Sequence, residues 1–299
     1  MILVAGSANL DFVVRASHIP APGETVLGRD FKTFPGGKGA NQAIASARAG
    51  GAATTMILAL GNDAYAVPLE ESLNAAGVRL HIKRVKDQPT GTAFICVSDN
   101  AENAITVAPG ANNALRPEDL ISLAELSGFT HLLLQLETPI DTVTAFARAA
   151  RQQGVKVVLN AAPAQSLSSE LLAVVDILIV NEGELAVVSN HQGTVEKCLE
   201  RIQVPCVVVT LGSRGAWARV DGQILKQAAF PVTPVDTTGA GDTFCGAFVA
   251  ALSLGQEVEE NVAQALRQAS AAGALACTKP GAQSSIPTHA EVQIFLKSF

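Results

Sequence analysis

The run Asp236-Thr237-Thr238-Gly239-Ala240-Gly241-Asp242-Thr243-Phe244 sets two carboxylates six residues apart around two glycines, and the apolar stretch Cys245–Leu254 follows at once. That stretch predicts a helix. Glycines at a helix start leave backbone N–H groups free to hold an anion. An Asp in this place is ordinarily a cap or a partner for the helix dipole. Here the helix start is richer in glycine than capping needs, and Asp236 adds a second carboxylate upstream of Asp242. An anion hole beside a carboxylate is what phosphoryl transfer to a hydroxyl requires: donors for the developing charge and a base for the hydroxyl proton.

A second glycine-rich run, Gly36-Gly37-Lys38-Gly39-Ala40-Asn41, precedes another helical pattern. It is not a Walker A loop, because no Ser or Thr follows Lys38 and the spacing differs. It reads either as a flexible helix entry or as a close backbone approach to a ligand, with Lys38 and Asn41 as polar contacts. Further polar groups stand where apolar runs end: Ser7, Asn9 and Asp11; Glu137; Asn160; Asn181 to Glu184; and Gly212 to Gly215. In open α/β sheets, ligands bind beyond the carboxyl ends of the strands.

The elements that must position these groups follow a rhythm of short apolar runs alternating with helical patterns. The runs are Ile2–Ala5, Thr54–Leu60, His131–Leu136, Val155–Leu159, Asp176–Val180 and Cys206–Leu211. The helical patterns are Gly39–Ala49, Ala64–Ala76, Pro139–Gln153 and Thr194–Ile202, with Gly77 and Gly154 placed as helix-ending glycines. This alternation predicts a mostly parallel sheet covered on both faces. Two regions break it, 11–34 and 90–108, which predict strands of a small separate sheet. A hairpin over Ala216–Ala229 turns at Asp221-Gly222. The end is helical, over Gly239–Leu254, Val258–Ala276 and from about Thr288. No repeat or linker divides residues 1–299, so one α/β domain with a small β appendage is expected.

Hydrophobic residues make up 48% of the 299 and charged residues 16%, which excludes a disordered chain. The net charge is -6 and no Lys/Arg-rich run occurs, so a nucleic-acid partner is not expected. Five scattered cysteines without a C-x-x-C pair argue against a disulfide scaffold or a thiolate zinc site. The five histidines are also scattered and read as surface or loop residues. No apolar run reaches the roughly 20 residues that span a membrane, and the chain opens on a strand-like run without a basic leader, so a cytoplasmic protein is expected.

The two glycine-rich motifs, about 200 residues apart in sequence, resemble the two signatures of the ribokinase-like (PfkB) family of carbohydrate kinases. The first signature matches Gly36 to Ala43 and the second Asp236 to Phe244. The resemblance implies a three-layer α/β/α fold with a mostly parallel central sheet and a small β-sheet lid, formed by 11–34 and 90–108. It implies ATP-dependent phosphoryl transfer to a small sugar, with D-ribose first. Alternatives are 2-deoxyribose, fructose, a keto-sugar acid or a nucleoside, and, outside enzymes, a sugar-binding protein without turnover. By the same resemblance Asp242 is the base, and Gly239, Ala240 and Gly241 form the anion hole. Asn9, Asp11, Gly37, Lys38, Asn41 and Glu137 hold the sugar. Asn181 and Glu184 match an N-x-x-E motif that helps hold Mg²⁺ through water. Thr210, Gly212 and Gly215 belong to the nucleotide pocket, and Ser270 stands where some relatives carry a His near the adenine. Asp236, Thr238, Ala276, Lys279, Gly281 and Ser285 resemble a K⁺ loop beside the anion hole. The lid implies a homodimer.

Overall fold

A computed structural model describes residues 1–100, 102–253 and 258–299, without the side chains of 258–261. The expected end of the 239–254 helix and residue 101 within the lid region therefore lie outside the described residues. The strands are β1 (Ile2–Ala5), β2 (Asn9–Arg15), β3 (Asp30–Gly36), β4 (Thr54–Gly61), β5 (Arg79–Val85), β6 (Gly91–Val97), β7 (Asn103–Ala108), β8 (His131–Leu134), β9 (Lys156–Asn160), β10 (Ile177–Asn181), β11 (Cys206–Thr210), β12 (Ala216–Val220) and β13 (Gln223–Gln227). The helices are α1 (Lys38–Arg48), α2 (Ala66–Ala75), α3 (Leu123–Leu126), α4 (Ile140–Gln152), α5 (Ser169–Leu172), α6 (Glu182–Val188), α7 (Val195–Glu200), α8 (Ala240–Ser253), α9 (Val258–Ala276) and α10 (His289–Leu296).

The large sheet has the order β13-β12-β11-β10-β9-β8-β1-β4-β5, parallel from β11 to β5, with the β12–β13 hairpin antiparallel at one edge. Alternate residues of its strands point to two separate cores, because strand side chains alternate faces. Ile2, Val4, Met56, Leu58 and Val208 join α1, α2, α8 and α9 on one face. Leu3, Ile57, Leu132, Leu159 and Val209 join α4 to α7 on the other. The result is the three-layer arrangement expected. Phe248 in the first core and Phe146 in the second are fully buried, each contributing about 1.5–3 kcal/mol by leaving water.

The small sheet runs β3-β2-β6-β7, with β2 and β6 parallel. It forms the lid, although residues 16–29 within the expected 11–34 segment connect β2 to β3 rather than continue a strand. One other expectation needs correction, and two segments gain an assignment. His131 is buried in β8 rather than set on the surface, and burial lowers its imidazole to about 4, helped by the N-terminus and Lys156. Asn181 to Glu184, the polar end of an apolar run, starts a helix, α6. Arg79–Val85, unassigned in the sequence, is the edge strand β5, whose Leu80 and Ile82 pack on the core while charged residues alternate between them.

One packing feature brings the two glycine-rich motifs together. At Gly246 a Cβ would stand 2.4 Å from the Gln42 carbonyl oxygen, so α8 and α1 touch backbone to backbone. Ser46 Oγ adds a hydrogen bond to the Gly246 carbonyl. Any larger residue at 246 separates the helices and with them the start of α8 from Asn41 and Gln42. No described helix is long and apolar enough to cross a membrane.

Candidate active site

The first motif acts through its backbone. Gly37 has φ +90°, and a Cβ there would stand 2.7 Å from Ala8 Cα, so only glycine lets the chain turn from the lid strand β3 into α1. The turn delivers the Lys38 N–H to Glu137 Oε2 at 3.1 Å, and Ser7 Oγ donates to the same oxygen at 2.6 Å. Glu137 is thereby fixed through one oxygen, with the other uncommitted.

Asp242 stands in the first turn of α8. Its Oδ2 accepts from Asn41 Nδ2 at 2.9 Å and its Oδ1 from Gln42 Nε2 at 2.9 Å. The Gln42 orientation is itself dictated. Asn160 Nδ2 donates to the Ile179 carbonyl, so Asn160 Oδ1 must accept, and it does so from Gln42 Nε2. Gln42 Oε1 then accepts from Gln135 Nε2 at 2.7 Å. Asp242, with burial opposing and Glu137 and Glu184 assisting, holds the Lys38 ammonium above its usual range.

At the α8 start, Gly239 has φ +73° and lies against Ala282, and Ala240 N–H donates to the Thr237 carbonyl at 3.2 Å. Among the described residues no protein acceptor takes the N–H of Gly241 or Asp242. A Cβ at Gly241 would meet no atom within 4 Å. These open donors face a cavity of about 160 Å³ that brings together Lys38, Asn181, Glu184, Thr210, Gly239, Gly241 and Asp242.

Asn9 and Asp11 sit at the lid's base, where β2 pairs with Gly36 and with Gly91 to Ala93. Asn112 fixes the polarity of Asn9. Its Oδ1 accepts the Ala8 N–H and its Nδ2 donates to the Ala8 carbonyl, so the amide cannot be reversed. That Nδ2 also donates to Asn9 Oδ1 at 2.8 Å, leaving Asn9 Nδ2 to serve a ligand. Burial, with Glu137 and Asp242 nearby, pushes the Asp11 carboxyl up to about 7. A Cβ at Gly36 would stand 2.2 Å from Asp11 Oδ2, so that glycine makes room for the carboxylate.

Asn181 and Glu184 form a reciprocal cap at the start of α6. Asn181 N–H donates to Glu184 Oε2 and Glu184 N–H to Asn181 Oδ1, both at 2.8 Å. Burial raises the Glu184 carboxyl, and its Oε1 accepts from no protein group. Thr210 pairs with Asn181 across β10–β11. Beyond it Gly212 faces open space, whereas a Cβ at Gly215 would collide with the Gln227 carbonyl at 2.0 Å. Ser270 lies on α9, buried and with an unpartnered Oγ, outside the cavity lining.

Asp236 ties two loops together. Its Oδ1 accepts from Thr238 N–H and Oγ1, and its Oδ2 from the Gly281 N–H at 2.8 Å. Burial works against ionisation here, yet these bonds outweigh it and hold the carboxyl below its ordinary value. Ala276 accepts from Lys279 N–H, Ser285 Oγ donates to the Ala282 carbonyl, and the Lys279 side chain leaves the loop for Glu291. Of Gln42, Gln135 and Asn112, which carry the polarity of the site, only Gln42 lies in a motif, the first glycine-rich signature, four residues after Lys38 and so on the same helix face; Gln135 and Asn112 have none.

Comparison with known proteins shows the family of the chain. Residues 1–289 match the pfkB family of carbohydrate kinases. The ribokinase of Haemophilus influenzae is 39% identical over 306 aligned residues, covering 99% of this chain and 98% of that one. The crystal structure of the Thermotoga maritima ribokinase superposes with a TM-score of 0.90 at 39% identity, covering 99% of both chains. The Arabidopsis thaliana ribokinase complexed with ribose and ATP gives a TM-score of 0.90 at 33% identity, covering 99% of this chain and 98% of that one.

Proposed function

The chain belongs to the pfkB family of carbohydrate kinases, and on that premise we propose that it transfers the γ-phosphoryl group of ATP to D-ribose, giving D-ribose 5-phosphate and ADP. The observation that carries the reading is the cavity in which a doubly clamped carboxylate, an ammonium and two unclaimed helix-start N–H groups meet.

Asp242 takes the proton from the terminal hydroxymethyl oxygen of the sugar. That oxygen forms the new bond to the γ-phosphorus, and the bond from phosphorus to the β,γ-bridging oxygen breaks, leaving ADP. The N–H groups of Gly241 and Asp242, with that of Gly239 beside them and Lys38 opposite, stabilise the charge on the transferring group, while the Ala240 N–H, expected among these donors, is held by the Thr237 carbonyl. Asn9 Nδ2 donates to the sugar, and Asp11 and Glu137 accept from its hydroxyls, with Gly37, Lys38 and Asn41 completing that side. Asn181, Glu184, Thr210, Gly212 and Gly215 hold the nucleotide end, while Ser270 lies on α9 outside the cavity lining.

Among the described residues Glu184 presents a free buried carboxylate oxygen on the phosphate side, and no group of three or more His, Cys, Asp or Glu is placed to hold a metal ion. That donor set fits a Mg²⁺ that keeps its waters and rides on phosphate rather than a protein cage. Such an ion neutralises charge on the β- and γ-phosphates. The Asp236 carboxylate between the 236–238 and 276–285 loops fits a K⁺ ion beside the anion hole. The exposed apolar residues of the lid support a homodimer built on that sheet. All five cysteines are free thiols, in keeping with a cytoplasmic setting.

The test is a panel of D-ribose, 2-deoxyribose, fructose, a keto-sugar acid and nucleosides, assayed for ATP-dependent product. D-Ribose should give the highest kcat/KM and 2-deoxyribose a markedly lower one, because polar groups set for a hydroxyl are left unpaired without it. Equal values for the two pentoses, or preference for a hexose or nucleoside, would overturn ribose as the acceptor.

A further inference from the structure

A run of three hydrogen bonds leads from Asp242 out of the active site. Asn41 Nδ2 donates to Asp242 Oδ2 at 2.9 Å, Gln283 Nε2 donates to Asn41 Oδ1 at 3.1 Å, and Ser72 Oγ donates to Gln283 Oε1 at 2.6 Å. The order of donors is forced. An ionised carboxylate only accepts, so Asn41 must turn its NH₂ toward Asp242 and its carbonyl oxygen away. Gln283 must then offer its own NH₂ to Asn41, which leaves its oxygen for the Ser72 hydroxyl. Asn41 and Gln283 are both buried, where an unpaired amide is costly.

Gln283 stands between Ala282, which lies against Gly239, and Ser284, two residues beyond the Gly281 N–H held by Asp236. One short loop thus touches the anion hole through Ala282 and the partner of the base through Gln283. We propose that Gln283 is a positioning residue for Asp242: by donating to Asn41 it keeps the Asn41 amide turned with its N–H toward the base. The inference rests on the kinase reading above. The competing role is packing alone, a side chain that fills the space between α1 and α2.

The two roles separate in Gln283→Glu and Gln283→Met. Ser72 and Gln283 also line an open cavity of about 480 Å³ on the side away from the base, so side chains of similar length fit there. In Gln283→Glu the donor is gone and the new carboxylate takes a hydrogen bond from Asn41 instead. The Asn41 amide reverses and turns its oxygen on Asp242. A carboxylate that loses a donor and faces a carbonyl oxygen holds its proton more tightly. Lys38 from α1, Asp11 from β2, Glu184 from α6 and Cys245 from α8 also face Asp242, whose charge acts on each of them, and all are unchanged in both variants.

The experiment measures kcat, the ribose KM and the pH profile of kcat/KM for both variants, each also in an Asn41→Ala background. The expected result is a kcat about tenfold lower for Gln283→Glu, with the acidic limb of its profile moved up by roughly half to one pH unit. Gln283→Met should lose about threefold to tenfold with a smaller movement of the limb. In the Asn41→Ala background the Gln283→Met effect should vanish and the Gln283→Glu effect should shrink to what the added negative charge exerts through space, since the hydrogen-bonded coupling runs through that amide. An unmoved limb and unchanged kcat per folded protein, with only the melting temperature lowered, would assign Gln283 to packing and overturn the proposal. Effects that persist undiminished without the Asn41 amide would overturn it too. A wild type that phosphorylates no sugar would instead overturn the kinase reading, and the inference with it.

Discussion

Gln42 Nε2 stands 2.9 Å from Asp242 Oδ1 and 2.9 Å from Asn160 Oδ1, so one fully buried amide joins α1, the end of β9 and the start of α8. With Asn41 on the other carboxylate oxygen, both oxygens of Asp242 are spoken for once. Each carboxylate oxygen offers about two lone-pair directions, so each retains one. A hydroxyl that gives its proton to Asp242, as proposed, would approach along those, on the cavity side with the open N–H groups of the α8 start. The clamp therefore orients the base as well as holding it.

Gly241→Ala should separate function from stability. The added Cβ meets no atom within 4 Å, and alanine in a helix is favoured over glycine by roughly 0.5–1 kcal/mol. The melting temperature should hold or rise slightly. The methyl group enters the space assigned to the transferring phosphoryl group, so kcat should fall by about a hundredfold or more. A variant with normal kcat would show that this space carries no phosphate.

Asp11→Asn should stabilise the sugar-free protein in a pH-dependent way. The folded protein holds the Asp11 proton until about pH 7, whereas the unfolded chain releases it near 3.8. An acid whose folded value is raised costs stability increasingly as pH climbs between those values, and the cost is constant above the upper one. Urea midpoints at pH 5 and pH 8 should therefore show a larger gain from the Asn variant at pH 8. A gain that is equal at both pH values, or larger at pH 5, would contradict the buried, carboxylate-crowded setting of Asp11.

K⁺ should raise kcat or lower the sugar KM, with Na⁺ weaker, and Asp236→Ala should abolish the response. The reason is the Asp236–Gly281 bond, which links the 276–285 loop to the chain segment leading into Gly239–Asp242. Steady-state rates in K⁺ and in a large organic cation at equal ionic strength make the comparison. Identical rates would leave Asp236 as a cap for Thr238 and Gly281 and nothing more.

Phe31, Phe94 and Ile105 are 63%, 53% and 55% exposed on the lid sheet. Exposed apolar residues on an open sheet with two free edges need a partner surface. Light scattering at dilute concentration should give twice the 30.8 kDa chain mass. A clean 30.8 kDa species would rule out the lid dimer.

The parallel strands were legible because strands buried on both faces read as unbroken apolar runs, as Cys206–Thr210 and Ile177–Asn181 do. β5 was not, because an edge strand with one wet face mixes Arg79, His81, Lys83 and Arg84 with its core residues. Lys38 and Asp242 could be found because backbone approach to a ligand demands glycines around them. Gln42 could be found only as part of the first signature, and its clamp on Asp242, like the roles of Asn112 and Gln283, could not. Each works through a partner 93 to 242 residues away, a distance over which spacing carries no signal. Asn181 and Glu184 stood out through the N-x-x-E motif of the family resemblance, and the fold adds that they cap each other at the α6 start.

The most direct test of the account is the turnover of D-ribose with ATP by wild type and Asp242→Asn, with the product identified as the 5-phosphate and the fold checked by circular dichroism. The Asn side chain keeps the shape and one acceptor of the Asp242 carboxylate but cannot take the hydroxyl proton. The account predicts an active wild type and a folded variant whose kcat is lower by at least about 10²–10⁴-fold, with sugar binding largely retained. A folded Asp242→Asn variant with near-normal kcat would contradict it.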